Sequence, residues 1–432
     1  MDDPQRLLTA FRDSTGVSTD TRTLRAGQLF FALSGPNFDG NHYAAAALAA
    51  GASAVVVDDP QSATDARALL VDDALAALQV LAKAYRRTLE CPVVALTGSN
   101  GKTTTKELLH AILSQRYRTS ATVGNLNNHI GVPLTLLRIP ADAEVALVEM
   151  GANHVGEIGA LCEIADPTHG AITNIGRAHL EGFGGVEGVR KGKGELFDYL
   201  AAAGGVAFVD ADDVEVAKIG ERVGARVEYS SEDAGGTVFS TRLERPFPFA
   251  EGVLIDEDAA QVGYRAHLPG AHNHRNITLA AAVGHHFGVP LPDIADAIAS
   301  YRPENSRSEV RRVGKATVLL DAYNANPDST LAGLRWLASR GEPRKVALLG
   351  TLAELGAYAK TAHAEVAAAA AAVEGAEVGL IGPNWEAEVT GATGFDTVEA
   401  ARGWLAERLE AEDAVILVKG SRSNRLERLL PS

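Results

Sequence analysis

Residues 93–105 read Val93-Val94-Ala95-Leu96-Thr97-Gly98-Ser99-Asn100-Gly101-Lys102-Thr103-Thr104-Thr105. The apolar first part predicts a buried strand. Gly98 and Gly101 let the backbone curl so that successive N–H groups point at one anion, and a helix opening at Lys102 adds its partial positive charge. Ser99, Asn100 and Thr104 supply further polar groups around that anion. Lys102 is placed to reach the β- and γ-phosphates of a nucleotide, and the Thr103 hydroxyl to ligate Mg²⁺. The string is not the full G-x-x-x-x-G-K-[ST] pattern, because Leu96 stands where the first Gly would be. A tight structural turn would account for the glycines. It would not account for Gly-Lys-Thr directly after an apolar strand, so nucleotide binding is expected.

Outward from this loop the chain alternates strands and helices. After the strand 93–97, strands are predicted over 145–150, 171–175 and 206–209. A β-rich excursion (238–243, 252–255, 261–268) and a helix over 276–287 follow. Towards the N-terminus lie short strands (29–33, 54–57) and Ala-rich helices (43–50, 74–87). Beyond a charged segment at 301–313, which reads as a hinge, strands at 317–320, 346–349, 378–381 and 414–418 alternate with helices at 329–339, 361–373 and 398–409. Near-continuous apolar strands alternating with helices predict buried parallel sheets, hence an α/β protein. Three domains are expected: a smaller α/β unit over 1–88, a central phosphate-loop sheet over 89–302, and a Rossmann-like unit over 303–432.

The size agrees, since 432 residues at about 150 per domain make about three. Hydrophobic residues are 46% and charged residues 22%, ordinary for a globular protein. The balance of 40 basic against 55 acidic side chains leaves a net charge of −15. An acidic surface argues against nucleic acid and against stable membrane association, both of which need a basic or long apolar face. Any anion must be held in a local pocket. Cys91 and Cys162 cannot build a disulfide framework, which fits a reducing compartment. The N-terminus has no basic and apolar leader pattern, and no apolar run is long enough to span a bilayer, so a cytoplasmic protein is expected. A monomer is the simplest assembly.

Downstream, Glu149 ends the apolar run 145–148, so its carboxylate falls at the sheet edge where α/β folds bind ligands. There it can act as a direct or indirect Mg²⁺ ligand. Another apolar run delivers the polar cluster Thr173 to Glu181, in which His179 is either a metal or phosphate ligand or a structural hydrogen bonder. The run Arg190-Lys191-Gly192-Lys193-Gly194-Glu195 reads as a basic helix start or as phosphate-attracting charge.

Seven strings, in order, resemble the Mur ligase family: TGSNGKTTTKE (97–107), GNLNNHIGVPLTLLR (124–138), EMGANHVGEI (149–158), TNIGRAHLEGFGGVEGVRKGKGELF (173–197), LPGAHNHRNITLAA (268–281), DAYNANPDS (321–329) and KGSRSNRLE (419–427). GNLNN and YNANP are similar to the branch that adds D-alanyl-D-alanine. Residues 18–43 are similar to the family's UDP-sugar-binding domain. The resemblance implies an ATP-dependent amide ligase. It would join D-alanyl-D-alanine to UDP-N-acetylmuramoyl-tripeptide through an acyl phosphate. The family branches that add the third amino acid or glutamate to folates are alternatives, as is a phosphate-loop switch without ligase activity.

The resemblance also implies residue roles. Lys193 would carry a CO₂-derived carbamate, with Lys191 as the alternative. His179 and modified Lys193 would serve a second Mg²⁺, while Thr103 and Glu149 serve the first. Asn273 would contact adenine, and Arg307 and Asp321 would reach the nucleotide from the third domain. Asp20, Thr21 and Arg22 would hold the uridine diphosphate, and Asn125, Asn127, Asn128, Tyr323 and Asn326 the peptide substrates. The chain departs from the family pattern at Ser306, where Gly is common, and at Leu320, where Asp is common.

Overall fold

The computed structural model describes residues 3–232, 236–303, 306–385 and 391–431, and statements of number refer to these. Three large sheets follow one another along the chain, and a two-stranded antiparallel sheet, Ser34–Gly35 with Phe38–Asp39, accompanies the first. The first runs in the order Val17–Ser18, Leu29–Phe31, Ala54–Val57, Ala68–Leu70, all parallel. The helix Ala74–Arg86 packs near it, burying Ala74, Ala77, Leu78, Leu81 and Ala82, one face at helical spacing. Its N-terminus is fixed by Asp73, which accepts the Ala76 N–H at 2.8 Å.

The central sheet has nine strands. Its order is Gln261–Arg265, Glu251–Asp256, Phe239–Arg245, Ala225–Ser230, Val206–Asp210, His169–Ile172, Val93–Thr97, Val145–Glu149 and Thr119–Ala121. From Phe239–Arg245 to Thr119–Ala121 every neighbouring pair is parallel. The first two strands are antiparallel additions at one edge. The strand Val93–Thr97 is apolar on both faces because both are covered. Val93 and Ala95 point into one core with Leu161 and Leu196, and Val94 and Leu96 into another with Leu108 and Ile277.

The basic run 190–195 lies inside one long helix, Val186–Ala203, despite its glycines. Packing overrides propensity there. A Cβ at Gly188 would lie 1.8 Å from the Phe183 carbonyl oxygen, and one at Gly192 would lie 2.5 Å from the Phe183 ring. Glycine lets the short helix Leu180–Phe183 sit against this one.

The third sheet is ordered Glu309–Val313, Ala316–Asp321, Ala414–Lys419, Arg344–Gly350, Ala376–Ile381, Ala392–Phe395. Only the first pair is antiparallel. Three expectations shift. The segment 301–313 carries the strand Glu309–Val313, while 304 and 305 lie outside the described residues. The strand expected at 171–175 is His169–Ile172, because Thr173 and Asn174 turn to bond the phosphate loop. The helix expected from 276 begins at Ala271. No helix among the described residues is long and apolar enough to cross a membrane.

Candidate active site

A cleft of about 660 Å³ opens where the carboxyl ends of the central strands face the third sheet. Its floor is the phosphate loop. Gly98 has φ +140 and Gly101 φ +82, and added Cβ atoms would lie 2.0 Å from Thr173 Oγ1 and 2.2 Å from Asn276 Oδ1. Both positions therefore require glycine for backbone and for space. The following helix starts at Lys102 without a side-chain cap, so its first N–H groups face the cleft. Lys102 Nζ donates to the Gly98 carbonyl at 2.5 Å. Burial pushes its pKa down to about 8, against the pull of Glu149. Ser99 and Asn100 are held from below. Gly176 N–H donates to Ser99 Oγ at 2.9 Å, Asn100 N–H donates to Asn174 Oδ1 at 3.0 Å, and Asn174 Nδ2 donates to the Asn100 carbonyl at 3.0 Å. Thr104 is buried in the helix's first turn and borders the cleft.

Glu149 is buried at the end of its strand. Its Oε1 accepts from Thr103 Oγ1 at 3.2 Å and from Asn127 Nδ2 at 2.8 Å. Its Oε2 is buried with no partner. A carboxylate oxygen left unpaired beside a threonine hydroxyl has the chemistry of a hard-cation site, so Thr103 and Glu149 fit one Mg²⁺. Asn127, expected on substrate, borders the cleft and also donates to Glu149. Asn128 Oδ1 accepts the Gly131 N–H at 2.8 Å where the helix Gly131–Leu136 begins, and Asn125 is exposed; both border the cleft.

Residues 13–96 match the Mur ligase family catalytic domain, 96–284 the Mur ligase middle domain, and 306–422 the Mur ligase glutamate ligase domain. The UDP-N-acetylmuramoyl-tripeptide--D-alanyl-D-alanine ligase of Escherichia coli is 37% identical over 421 residues, covering 96% of this chain and 92% of that protein. The chain belongs to the Mur ligase family. A crystal structure of MurF from Acinetobacter baumannii is similar with a TM-score of 0.87 and 30% identity, covering 99% of this chain and 97% of that one. The Thermotoga maritima MurF ligase in complex with ADP is similar with a TM-score of 0.83 and 27% identity, over 99% and 97% of the two chains.

In this Mur ligase the third domain roofs the cleft. Asn326 caps the helix Pro327–Ala338 through Ser329 N–H at 2.9 Å and also donates Nδ2 to Asn100 Oδ1 at 2.7 Å. Arg307 stacks 3.6 Å over the Tyr323 ring. Ser306 has φ +57, a left-handed conformation that a glycine would adopt without strain. Leu320 is buried in the third core, where an Asp would lack a partner. Asp321 Oδ2 pairs with Lys419 Nζ at 2.5 Å, and its Oδ1 accepts Ser308 N–H at 3.2 Å. Burial alone would raise the Asp321 pKa, but Lys419 overrides it and holds the carboxyl below the usual range.

At the other end of the cleft Asn273 lies in the first turn of its helix, whose N-cap is Gly270 rather than an asparagine. Asn273 Nδ2 donates to the Pro269 carbonyl at 2.8 Å, and its Oδ1 accepts from Asn276 at 3.1 Å. His272 beside it is held neutral, its pKa pushed by burial down to about 4. Lys419, Asn174 and His272 border the cleft and were not singled out from the sequence. Lys419 ends an apolar run as Glu149 does, and that signature would have found it.

Lys193 is buried, whereas Lys191 is exposed. The Lys193 Nζ donates to the Ala152 carbonyl at 3.1 Å and lies 5.1 Å from the centre of the Phe183 ring. Burial, helped by the Lys102 charge, pushes its pKa well below the lysine range. His179 has φ +54, and its Nδ1 lies 2.7 Å from Glu354 Oε2 of the third domain, not aligned for a hydrogen bond. That contact holds the Glu354 pKa down. Among the described residues no three His, Cys, Asp or Glu side chains converge as a metal site. Asp20 and Arg22 do not border the cleft. They pair with each other at 2.7 Å on the exposed face of the first domain, next to Thr21.

Proposed function

We propose that this chain is an ATP-dependent ligase that joins D-alanyl-D-alanine to UDP-N-acetylmuramoyl-tripeptide, the reaction for which its E. coli relative is named. The carrying observation is the single cleft in which the phosphate loop meets the third domain's Asn326. That arrangement suits a reaction whose intermediate is made on one domain and consumed by an amine brought on another.

The terminal carboxylate of the tripeptide attacks the γ-phosphate of ATP, giving an acyl phosphate and ADP. The dipeptide amine then attacks the acyl carbon, and a tetrahedral intermediate collapses to the amide with loss of phosphate. Lys102 and the helix N–H groups stabilise charge on the transferring phosphoryl group. Asn127 orients Glu149. Arg307 approaches the phosphates from the roof, beside Lys102. A Mg²⁺ held by Thr103 and Glu149 would supply charge neutralisation between the two anions. Asn273, with neutral His272, takes the adenine edge; Asp321, set by Lys419, reaches the nucleotide from the third domain. Asn125, Asn128 and Tyr323 face the peptide substrates, and Asp20, Thr21 and Arg22 take the uridine diphosphate on the first domain. Residues 1–88, 89–302 and 303–432 act as the three moving units.

Lys193 is the residue carbamylated. Its depressed pKa favours the neutral amine, whose nitrogen attacks CO₂ and loses one proton, leaving a carboxylate in place of a buried amine. That carboxylate with His179 would complete a second Mg²⁺ site. Every group named lies in one chain, which supports a monomer, and ATP and a UDP-linked precursor are cytoplasmic metabolites. The test is phosphate release with UDP-tripeptide, with and without D-alanyl-D-alanine. Amide product with stimulated release is expected, and ATP turnover indifferent to both substrates would overturn the reading. Mass spectrometry in ¹³CO₂ buffer tests Lys193 separately.

A further inference from the structure

We infer that Arg177 is a positioning residue that holds the third domain closed over the phosphate loop. Its Nε donates to Asp328 Oδ1 at 2.8 Å, and its backbone N–H donates to Asp328 Oδ2 at 2.8 Å. The guanidinium's two terminal nitrogens meet both oxygens of Glu365 at 2.5 and 3.1 Å. Both carboxylates belong to the third domain. Asp328 lies in the first turn of Pro327–Ala338, and Glu365 on Ala359–Ala371. Arg177 belongs to the loop after His169–Ile172, which on its other side grips Ser99 and Asn100. A closed circuit results. Asn100 bonds Asn174; three residues on, Arg177 bonds Asp328; two residues back, Asn326 bonds Asn100 again.

Three partly exposed side chains, 32%, 36% and 42% accessible, add little to stability by attraction alone. Their value is geometric. A planar guanidinium forked onto two carboxylates of different helices fixes the orientation of the third domain, which a single ion pair would not. Among the described residues Glu365 does not border the cleft, and Asp328 is the cleft residue that Arg177 bonds. The circuit therefore ties the state of the phosphate loop to domain closure. Resting on the ligase reading, its consequence is chemical. When the roof is loose, water instead of the amine attacks the acyl phosphate. The bond to phosphate breaks, and the tripeptide carboxylate and inorganic phosphate are released without amide.

The test compares Arg177→Ala and Glu365→Gln with the unmodified enzyme by two readouts. One is the ratio of phosphate released to amide formed. The other is the radius of gyration by small-angle scattering with ADP and Mg²⁺. Arg177→Ala is expected to raise the ratio about fivefold and to enlarge the particle. Glu365→Gln, which leaves the Asp328 pair, should shift both in the same direction by less. An unaltered ratio and radius in a folded Arg177→Ala variant overturn the inference. If that variant does not fold, the same null result in Glu365→Gln does so. If the unmodified enzyme forms no amide, the ligase reading fails while the scattering comparison still decides the latch.

Discussion

Asn326 donates to Asn100 across the domain boundary while its own Oδ1 caps the helix it precedes. One side chain thus sets both the start of a third-domain helix and the height of the roof above the phosphate loop. Substitution can separate the two roles. Serine caps as well as asparagine but is too short to reach Asn100. Asn326→Ser is expected to keep the thermal midpoint while lowering kcat about tenfold. Asn326→Ala should in addition lose about 1 kcal/mol in denaturant unfolding.

Glu149 predicts a metal dependence. Its Oε2 is buried without a partner, and Oε1 is already occupied by Thr103 and Asn127. Glu149→Gln preserves the shape and removes the charge. ADP affinity measured by calorimetry with Mg²⁺ should fall about 10- to 100-fold. The Mg²⁺-free affinity should stay as it is, and equal losses under both conditions would refute the ion's placement.

Lys102 predicts a pH dependence of nucleotide binding. Its pKa is held down to about 8 by burial, so below pH 8 the free enzyme already carries the charge. Above pH 8 the amine is neutral, and binding the phosphates must first take up a proton. Nucleotide Kd should be flat from pH 6 to about 7.5 and weaken by about tenfold per pH unit above pH 8. Lys102→Met should abolish that slope along with most of the affinity.

Asp210 predicts a stability effect away from the chemistry. It is buried at the end of Val206–Asp210, and burial raises its pKa from 3.8 to about 6. The native state therefore prefers the protonated form. Stability from this group is full below the unfolded pKa and is lost as pH rises through about 6. Asp210→Asn keeps an acceptor for the Asp212 N–H and is expected to stabilise the fold at pH 7 by up to about 3 kcal/mol. At pH 3.5 the advantage should vanish. Urea midpoints at the two pH values check this.

The third-domain contacts of the loop 174–181 explain why part of the site was not legible along the chain. The residues of the phosphate loop are contiguous, and the φ angles that demand glycine are local, so 93–105 alone specified strand, turn and helix. Glu149 was legible for the same reason, as a carboxylate closing an apolar run. The bond from Asn127 to Glu149 was not legible, because nothing near Asn127 in sequence shows that its amide reaches that carboxylate. Whether His179 is a ligand or a structural hydrogen bonder stayed open along the chain, because its neighbour Glu354 is remote in sequence. The helix Val186–Ala203 was hidden by glycines that only the packing of Phe183 explains.

By itself, then, the order of residues determined the α/β class, the central parallel sheet, the phosphate loop and the family. Each of these rests on backbone conformation, periodicity or a contiguous string. Tertiary structure alone decided which face of the cleft each polar side chain serves. It buried Lys193 and exposed Lys191, two residues apart on one helix, and it brought Arg177 to Asp328 and Glu365. The Arg177 contacts depend on how separate domains dock, between residues more than a hundred positions apart, and the burial of Lys193 on how its helix packs against Phe183 and Ala152; no local pattern records either.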